Sequence, residues 1–219
     1  MTALAAEQAA LTRSIAPQSQ LLLVQCGMGP AKARQGLQTV LKQGAGRVVF
    51  MGFGAGLRDD ASTGRVLIPH EILSGQDSLA VDADWQRRIC QTLADMNPAT
   101  DPLLCVDAPL LDIDAKAEWA ERAIGCDMES AAILTMAHHE GIPAAIIRVV
   151  LDGPKDVVPP LALTLVDDDG DLCWPDAGSC LHPLQWWQLA QLIPRFRLAH
   201  RRLQEAARRI IASHGSDPV

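Results

Sequence analysis

Two acidic residues frame one helix-and-strand unit of this chain. Glu129 stands in Gly125-Cys126-Asp127-Met128-Glu129-Ser130-Ala131-Ala132, and Asp152 closes Ile146-Ile147-Arg148-Val149-Val150-Leu151-Asp152. A carboxyl group that keeps a proton near neutral pH can protonate a leaving group, and one that stays charged can grip hydroxyls through charge-assisted bonds. The spacing predicts a helix from about Ser130 to Glu140, stopped by Gly141 with Pro143 just beyond. Ala144 to Leu151 is a near-continuous apolar run, the pattern of a parallel strand covered on both faces. A carboxylate directly after such a strand lies at the carboxyl edge of the sheet, where open α/β sheets bind ligands. Glu129 is expected on a loop leaving the previous strand at that same edge, so both acids can face one pocket. Taken singly, Glu129 could complement a helix dipole, worth ~0.3–1 kcal/mol, and Asp152 could cap the turn at Gly153-Pro154. Together, with Met128 as an apolar wall, they read better as a polar site.

Two glycine-rich segments bear on that site. Cys26-Gly27-Met28-Gly29-Pro30 is expected to turn a strand, Leu21 to Gln25, into a helix, Ala31 to Lys42. Backbone N–H groups of Gly27 and Gly29 would converge there with the helix dipole, which suits an anion or a ribose hydroxyl. A tight turn with no ligand role explains them as well. A dinucleotide fold would want glycine where Lys32 stands and an acid where Phe50-Met51-Gly52 ends the next strand, so that reading is poor. Gly52-Phe53-Gly54-Ala55-Gly56 reads as a glycine turn after a strand, Arg47 to Met51, where the backbone must bend or approach something closely. Arg148 sits within an apolar run and needs a partner if buried, and Asp127 reads as a structurally partnered acid. His138 and His139 near a helix end read as exposed, dipole-friendly residues.

The remaining elements must hold these residues in place. Val66 to Ile68 and Leu103 to Val106 read as strands, Trp85 to Leu93 and Lys116 to Arg122 as helices. Strands alternating with helices imply an α/β fold: a mixed, mostly parallel central sheet flanked by helices, closed by a C-terminal amphipathic helix. The 219 residues suit one well-buried domain, 1–219. Within it, 157–176, rich in Pro, Asp and Gly, reads as a lid loop, and 181–214 as a basic helical segment. With 48% apolar and 21% charged residues the chain is globular rather than disordered. A net charge of -7 argues against nucleic acid as a partner. No apolar run is long enough to span a bilayer, and no signal pattern opens the chain, so a cytoplasmic location is expected. The six cysteines lack metal-ligand spacing, which predicts no metal site; Cys173 and Cys180 could pair only in an oxidising compartment.

The Gly27-Met28-Gly29 turn, the segment Gly52 to Leu57, Asp127-Met128-Glu129-Ser130 with its helix, and Arg148 to Asp152 resemble the purine nucleoside phosphorylase and nucleosidase superfamily. The order and spacing cover most of Thr2 to Asp156. Within the superfamily the chain is most similar to the hopanoid-associated phosphorylases, the adenosylhopane nucleosidases. That similarity lies in Ala3-Leu4-Ala5-Ala6-Glu7, Asp107-Ala108-Pro109, and Pro159-Pro160 through Asp169-Gly170. The resemblance implies cleavage of the C–N bond between ribose and adenine, here of adenosylhopane to ribosylhopane or its phosphate. Asp152 would protonate N7, Glu129 would hold the ribose hydroxyls, Met128 would pack under the sugar, and Glu7 would activate water. Gly54, Ala55 and Gly56 would line base and ribose. No cofactor is implied, although inorganic phosphate is a candidate co-substrate, with Arg34, Arg58 and Arg65 as candidate ligands. A homodimer is implied by the superfamily's habit.

The chain also departs from that pattern. The family's first strand normally precedes the positions matching Thr2 to Glu7, so that strand is expected to be absent or shortened. Phe53 and Leu151 stand where nucleosidases often carry serine. Losing two hydroxyls disfavours a small thioadenosine and favours an apolar 5′ group. The rival readings are a methylthioadenosine or adenosylhomocysteine nucleosidase, and a non-catalytic nucleoside-binding protein attached to membranes by its tail.

That tail, from Leu181 to His214, holds six arginines against one acid, Glu205, in an otherwise acidic chain. Leu192, Phe196, Ala199, Leu203, Ala206 and Ile210 recur at helical steps, with Arg197, Arg201 and Arg208 opposite and Arg195, Arg202 and Arg209 flanking. A helix packed on the sheet with a solvated basic face is the plainer expectation. Peripheral docking on the inner, anionic membrane face, helped by Trp186-Trp187, is the functional one.

Overall fold

The computed structural model describes residues 1, 2, 7, 22, 24–159 and 183–214, and of 183–191 and 214 only the backbone. Helix α1, Pro30–Lys42, starts with its proline in the first turn, where a missing N–H costs nothing. Strand β1 is Val48–Gly56. Short strands β2, Val66–Leu67, β3, Glu71–Ser74, and β4, Asp77–Ala80, follow. Helix α2, Ala83–Thr92, is capped by Asp82, whose carboxylate accepts from the Trp85 N–H at 2.7 Å. Strand β5, Leu103–Cys105, precedes helix α3, Ile113–Ala117, capped in the same way by Asp112. Strand β6, Gly125–Asp127, leads into helix α4, Ser130–Glu140, then strand β7, Ala144–Asp152, and the C-terminal helix α5, Pro183–His214.

The seven strands form one mixed sheet in the order β2-β7-β1-β6-β5-β3-β4. β1 runs parallel to β7 over eight register pairs and antiparallel to β6 over two, and β3–β5 and β5–β6 are parallel. The β1–β7 pairing forms the centre of the core. Phe50, Ile146, Ile147, Val149 and Val150 are fully buried there, as a strand covered on both faces requires. Helix α1 packs on α4, and α2 packs on α5. From α5, Ala199, Leu203, Ala206 and Ile210 enter the core, so that part of the expected apolar stripe lies against the sheet. Phe196, higher on the same stripe, is 37% exposed.

Several local expectations shift. Gly52 to Gly56 is not a turn after the strand: the strand runs through it, with a register irregularity between Gly54 and Ala55. The parallel ladder to β7 and the antiparallel pairing to β6 both need this stretch extended. Of the expected strand at Leu21 to Gln25, residues 21 and 23 lie outside the described ones, and Gln25 makes an isolated bridge to Thr2. The short helix expected from Lys116 starts at Ile113, because Asp112 caps it there. The β3–β4 hairpin, turned at Gly75 with φ 60°, was not expected. Helix α4 does end at Gly141, φ 66°, with N–H groups of Gly141 and Ile142 returning to His138 and Ala137. Most of the expected lid, 160–176, lies outside the described residues, as do Cys173, Cys180 and the side chains of Trp186 and Trp187.

Candidate active site

The site is organised by Arg148, which is 1% exposed at mid-strand in β7. Its Nε and Nη2 lie 2.7 and 2.6 Å from Asp127 Oδ2 at the end of β6, and Nη2 lies 3.8 Å from Glu129 Oε2. The guanidinium also stands over the Phe50 ring, 4.2 Å from its centroid. Asp127 does more than neutralise the arginine. It accepts from the Ser130 N–H at 3.3 Å and from the Ser130 hydroxyl, which fixes the start of α4. That start places Glu129 at the helix N-cap position, 8% exposed.

Glu129 has one further anchor: its Oε1 accepts the Gly29 N–H at 3.0 Å. Gly29 sits at φ 85°, a left-handed conformation that lets this backbone donor reach the site from the start of α1. The Gly27–Gly29 turn thus spends a donor on a carboxylate of the chain. Burial, then the neighbouring Asp127, push Glu129 up to about 7, against the pull of Arg148 and the Gly29 N–H.

Glu7 joins the same cluster. It is 2% exposed and its Oε1 accepts the Phe53 N–H at 2.6 Å. A Cβ on Gly52 would stand 2.5 Å from Glu7 Oε1 and 2.7 Å from Arg148 Nη1, so only glycine lets both side chains close on this strand. Gly52 pairs in register with Arg148, and Ala55 pairs with both Asp152 on one side and Cys126 on the other. Strand β1 therefore carries Glu7 and Arg148 at one level and Asp152 near its end. Gly54 and Ala55 are partly open, Gly56 is buried, and Met128 is half-buried beside Glu129.

Asp152 is 7% exposed and closes β7. Its Oδ2 lies 2.5 Å from the Nζ of Lys116, a residue with no exposed surface. Burial pushes the Asp152 carboxyl up, and the Lys116 ammonium pulls the other way without reversing the direction. Sequence reasoning passed over Lys116. A signal was present: in the helix expected from Lys116 to Arg122, Lys116 would share a face with Trp119 and Ala120, and a lysine in such a stripe needs a partner. A cavity of about 550 Å³, lined by Asp59, Ser62, Thr63, Gly153 and Arg195 among others, borders the turn after Asp152 but not Glu129 or Glu7.

Of the three candidate phosphate ligands, Arg34 is exposed and Arg58 is held by Asp60 and Asp101 at 3.1 and 3.0 Å. Arg65 keeps a buried Nε without a hydrogen-bond partner among the described residues. Burial pushes the Cys126 thiol up to about 12, which makes it a poor nucleophile. Among the described residues no three His, Cys, Asp or Glu side chains group as metal ligands, and no helix is long and apolar enough to cross a membrane.

The family model described as the phosphorylase superfamily matches residues 9–171, a span that includes Glu129 and Asp152. The chain belongs to the phosphorylase superfamily. This is the class of the nucleoside phosphorylases and nucleosidases. Among solved structures, this phosphorylase-superfamily chain is similar to the 5′-methylthioadenosine/S-adenosylhomocysteine nucleosidase of S. pneumoniae with a transition-state inhibitor. The two are 15% identical, with 95% of this chain and 97% of that one covered, at a TM-score of 0.65. The corresponding nucleosidase of Neisseria meningitidis, in complex with methylthio-immucillin-A, is 14% identical over 97% of each chain, with a TM-score of 0.66. A futalosine hydrolase mutant of Helicobacter pylori is 11% identical over 68% of this chain and 86% of that one, with a TM-score of 0.59. At these identities the likeness is one of fold. No curated protein sequence matches the chain.

Proposed function

We propose that this protein cleaves the N-glycosidic bond of an adenine nucleoside whose 5′ side carries a large apolar group, with adenosylhopane as the substrate that fits best. The observation that carries the reading is the meeting of Glu7 and Arg148 on one stretch of β1, with Glu129 3.8 Å from Arg148 and Asp152 at the end of the adjacent strand. Breaking the bond builds positive charge on the ribose and negative charge on the purine. Asp152, buried and pushed up, gives its proton to N7 as the C1′–N9 electron pair moves to the base. Glu129 holds the ribose hydroxyls, and its charged bonds strengthen as the sugar becomes cationic. Glu7 takes a proton from the attacking water; phosphate, if it attacks instead, needs an arginine such as Arg65. Met128 packs under the sugar, and Gly54, Ala55 and Gly56 line the base.

An apolar 5′ group is supported by the surroundings of Phe53. Its ring packs against Phe196 of α5 with centroids 5.6 Å apart, and Ile193 and Leu198 are 49% and 46% exposed nearby in sequence. Peripheral membrane contact belongs to the same proposal. It rests on Arg197 and Arg201, both exposed, because Arg195, Arg202 and Arg209 are held by Asp156, the Gly64 carbonyl and Asp95, and Arg208, although exposed, lies 3.8 Å from Glu205. A single domain working in the cytoplasm as a homodimer completes it.

The second reading, a methylthioadenosine or adenosylhomocysteine nucleosidase, is favoured by what the S. pneumoniae and N. meningitidis neighbours are named for. Purified protein incubated with adenosylhopane, methylthioadenosine and adenosine, each with and without phosphate, separates the two by free adenine. Adenine from the hopanoid alone supports the first reading; equal or faster release from methylthioadenosine overturns it. Nucleoside-dependent thermal stabilisation with no adenine would leave a binding protein.

A further inference from the structure

Lys116 projects from a five-residue helix into a fully buried position. Its Nζ meets three oxygens: Asp152 Oδ2 at 2.5 Å, the Gly153 carbonyl at 2.9 Å and the Asp156 carbonyl at 2.8 Å. Carbonyl oxygens only accept, and so does a carboxylate oxygen, so these contacts use all three protons of an ammonium. All three partners belong to the end of β7 and the turn that follows. That turn is itself closed by the Gly153 N–H on Asp156 Oδ2 at 2.8 Å, and Arg195 of α5 reaches Asp156 Oδ1 at 2.7 Å. A buried lysine is costly unless its bonds are good and complete, and these are.

We infer that Lys116 is a positioning residue for proton transfer: it fixes Asp152 through Oδ2, leaves Oδ1 to carry the transferable proton, and stabilises the carboxylate left behind. The inference rests on the reading of Asp152 as general acid. Protonated Asp152 gives its Oδ1 proton to purine N7 while the C1′–N9 bond breaks and its electron pair passes to the base. The nucleophile's oxygen bonds to C1′ and yields its proton to Glu7. Asp152 regains a proton from solvent once adenine has left. Lys116 keeps its own protons throughout and lowers the energy of the ionised carboxyl. The charged and titratable groups facing Asp152 are Lys116 from α3, Asp156 from the following turn, Arg195 from α5 and Cys126 from β6.

An opposite charge this close lowers a carboxyl pKa by ~1–3 units. Activity requires the protonated acid and falls as pH rises through its pKa. Lys116→Met should therefore move the high-pH limb of kcat upward by about 1–3 pH units. It should also lower the plateau about 10- to 100-fold with KM little changed, a part of what a general acid supplies. Lys116→Gln, which keeps a donor but not the charge, should show the same limb shift with a smaller plateau loss. A scaffold role alone would lower the rate equally at every pH and leave the limb in place; that result overturns the inference. If neither variant folds, 15N-lysine NMR of the wild type decides. A slowly exchanging ammonium signal that shifts in Asp152→Asn supports the pair, and a signal indifferent to Asp152→Asn overturns it. Full activity of Asp152→Asn would instead remove the general-acid reading. Loss of activity there, with an unmoved limb in the Lys116 variants, would overturn this inference alone.

Discussion

Replacing Arg148 by methionine keeps an unbranched apolar stem and removes the charge, and the consequences can be worked from the contacts. The guanidinium is 1% exposed, bonds Asp127 Oδ2 at 2.6–2.7 Å, and stands 3.8 Å from Glu129 Oε2. Glu7 closes on the same strand. Methionine would leave these carboxylates buried together without a cation. Breaking a buried pair in this way costs about 3–5 kcal/mol, mostly as uncompensated charge. Domains carry ~5–15 kcal/mol of stability, so the variant should fold but be clearly weakened. At roughly 2–4 °C per kcal/mol for a chain of this size, the midpoint should fall by about 6–20 °C. Urea unfolding followed by circular dichroism should show a lower midpoint with an unchanged slope. The deficit should depend on pH. Acid neutralises the orphaned carboxylates, so the gap to wild type should shrink as pH falls from about 7.5 to about 5. Asp127→Asn in the same background should recover part of the loss, because the two sites share one interaction. A deficit below about 1 kcal/mol, or one that is flat with pH, would refute Arg148 as the hub of a buried charge cluster.

Glu129, pushed up to about 7 by burial and Asp127, ties ligand binding to protons. A folded carboxyl held above its solution value favours the protonated native state, so the stability it lends at low pH is lost as pH rises through about 7. A ribose that needs the ionised form should bind more tightly as pH rises through that value, releasing a proton; calorimetry in buffers of different ionisation enthalpy reads this, and Glu129→Gln should abolish the release. Gly52→Ala should cost about 1–3 kcal/mol and reduce activity more than stability, because the new Cβ displaces Glu7 and Arg148; unchanged activity would remove the close packing from the account. Flotation with anionic liposomes at low salt should recover wild type but not Arg197→Glu/Arg201→Glu, and binding of both would deny these arginines a docking role.

That Arg148 and Asp127 each need a partner was legible because an arginine in an apolar run has few ways to survive burial; that they pair with each other came from the structure. The stop at Gly141 and the strand to Asp152 were legible because glycine punctuation and continuous apolar runs act locally. Gly52 to Gly56 misled, since glycine marks both a bend and a close approach, and only the Glu7 and Arg148 side chains from elsewhere in the chain decide between them. The β3–β4 hairpin carries too few apolar residues to announce itself. Lys116 escaped because its partners lie 36–40 residues away, in a turn whose carbonyls no side-chain pattern reveals. Arg197, Arg201 and Arg208, expected opposite the apolar stripe of α5, are exposed, whereas the flanking Arg195, Arg202 and Arg209 find acids or carbonyls across the fold.

The central claim is that Asp152 delivers the proton that frees adenine. Free adenine should therefore be measured in single turnovers of wild type and Asp152→Asn on adenosylhopane, beside equilibrium binding of the same nucleoside. The account predicts adenine from wild type, a loss of about 10²–10⁴-fold in the variant, and binding retained within a few-fold. Equal release from both proteins would contradict it.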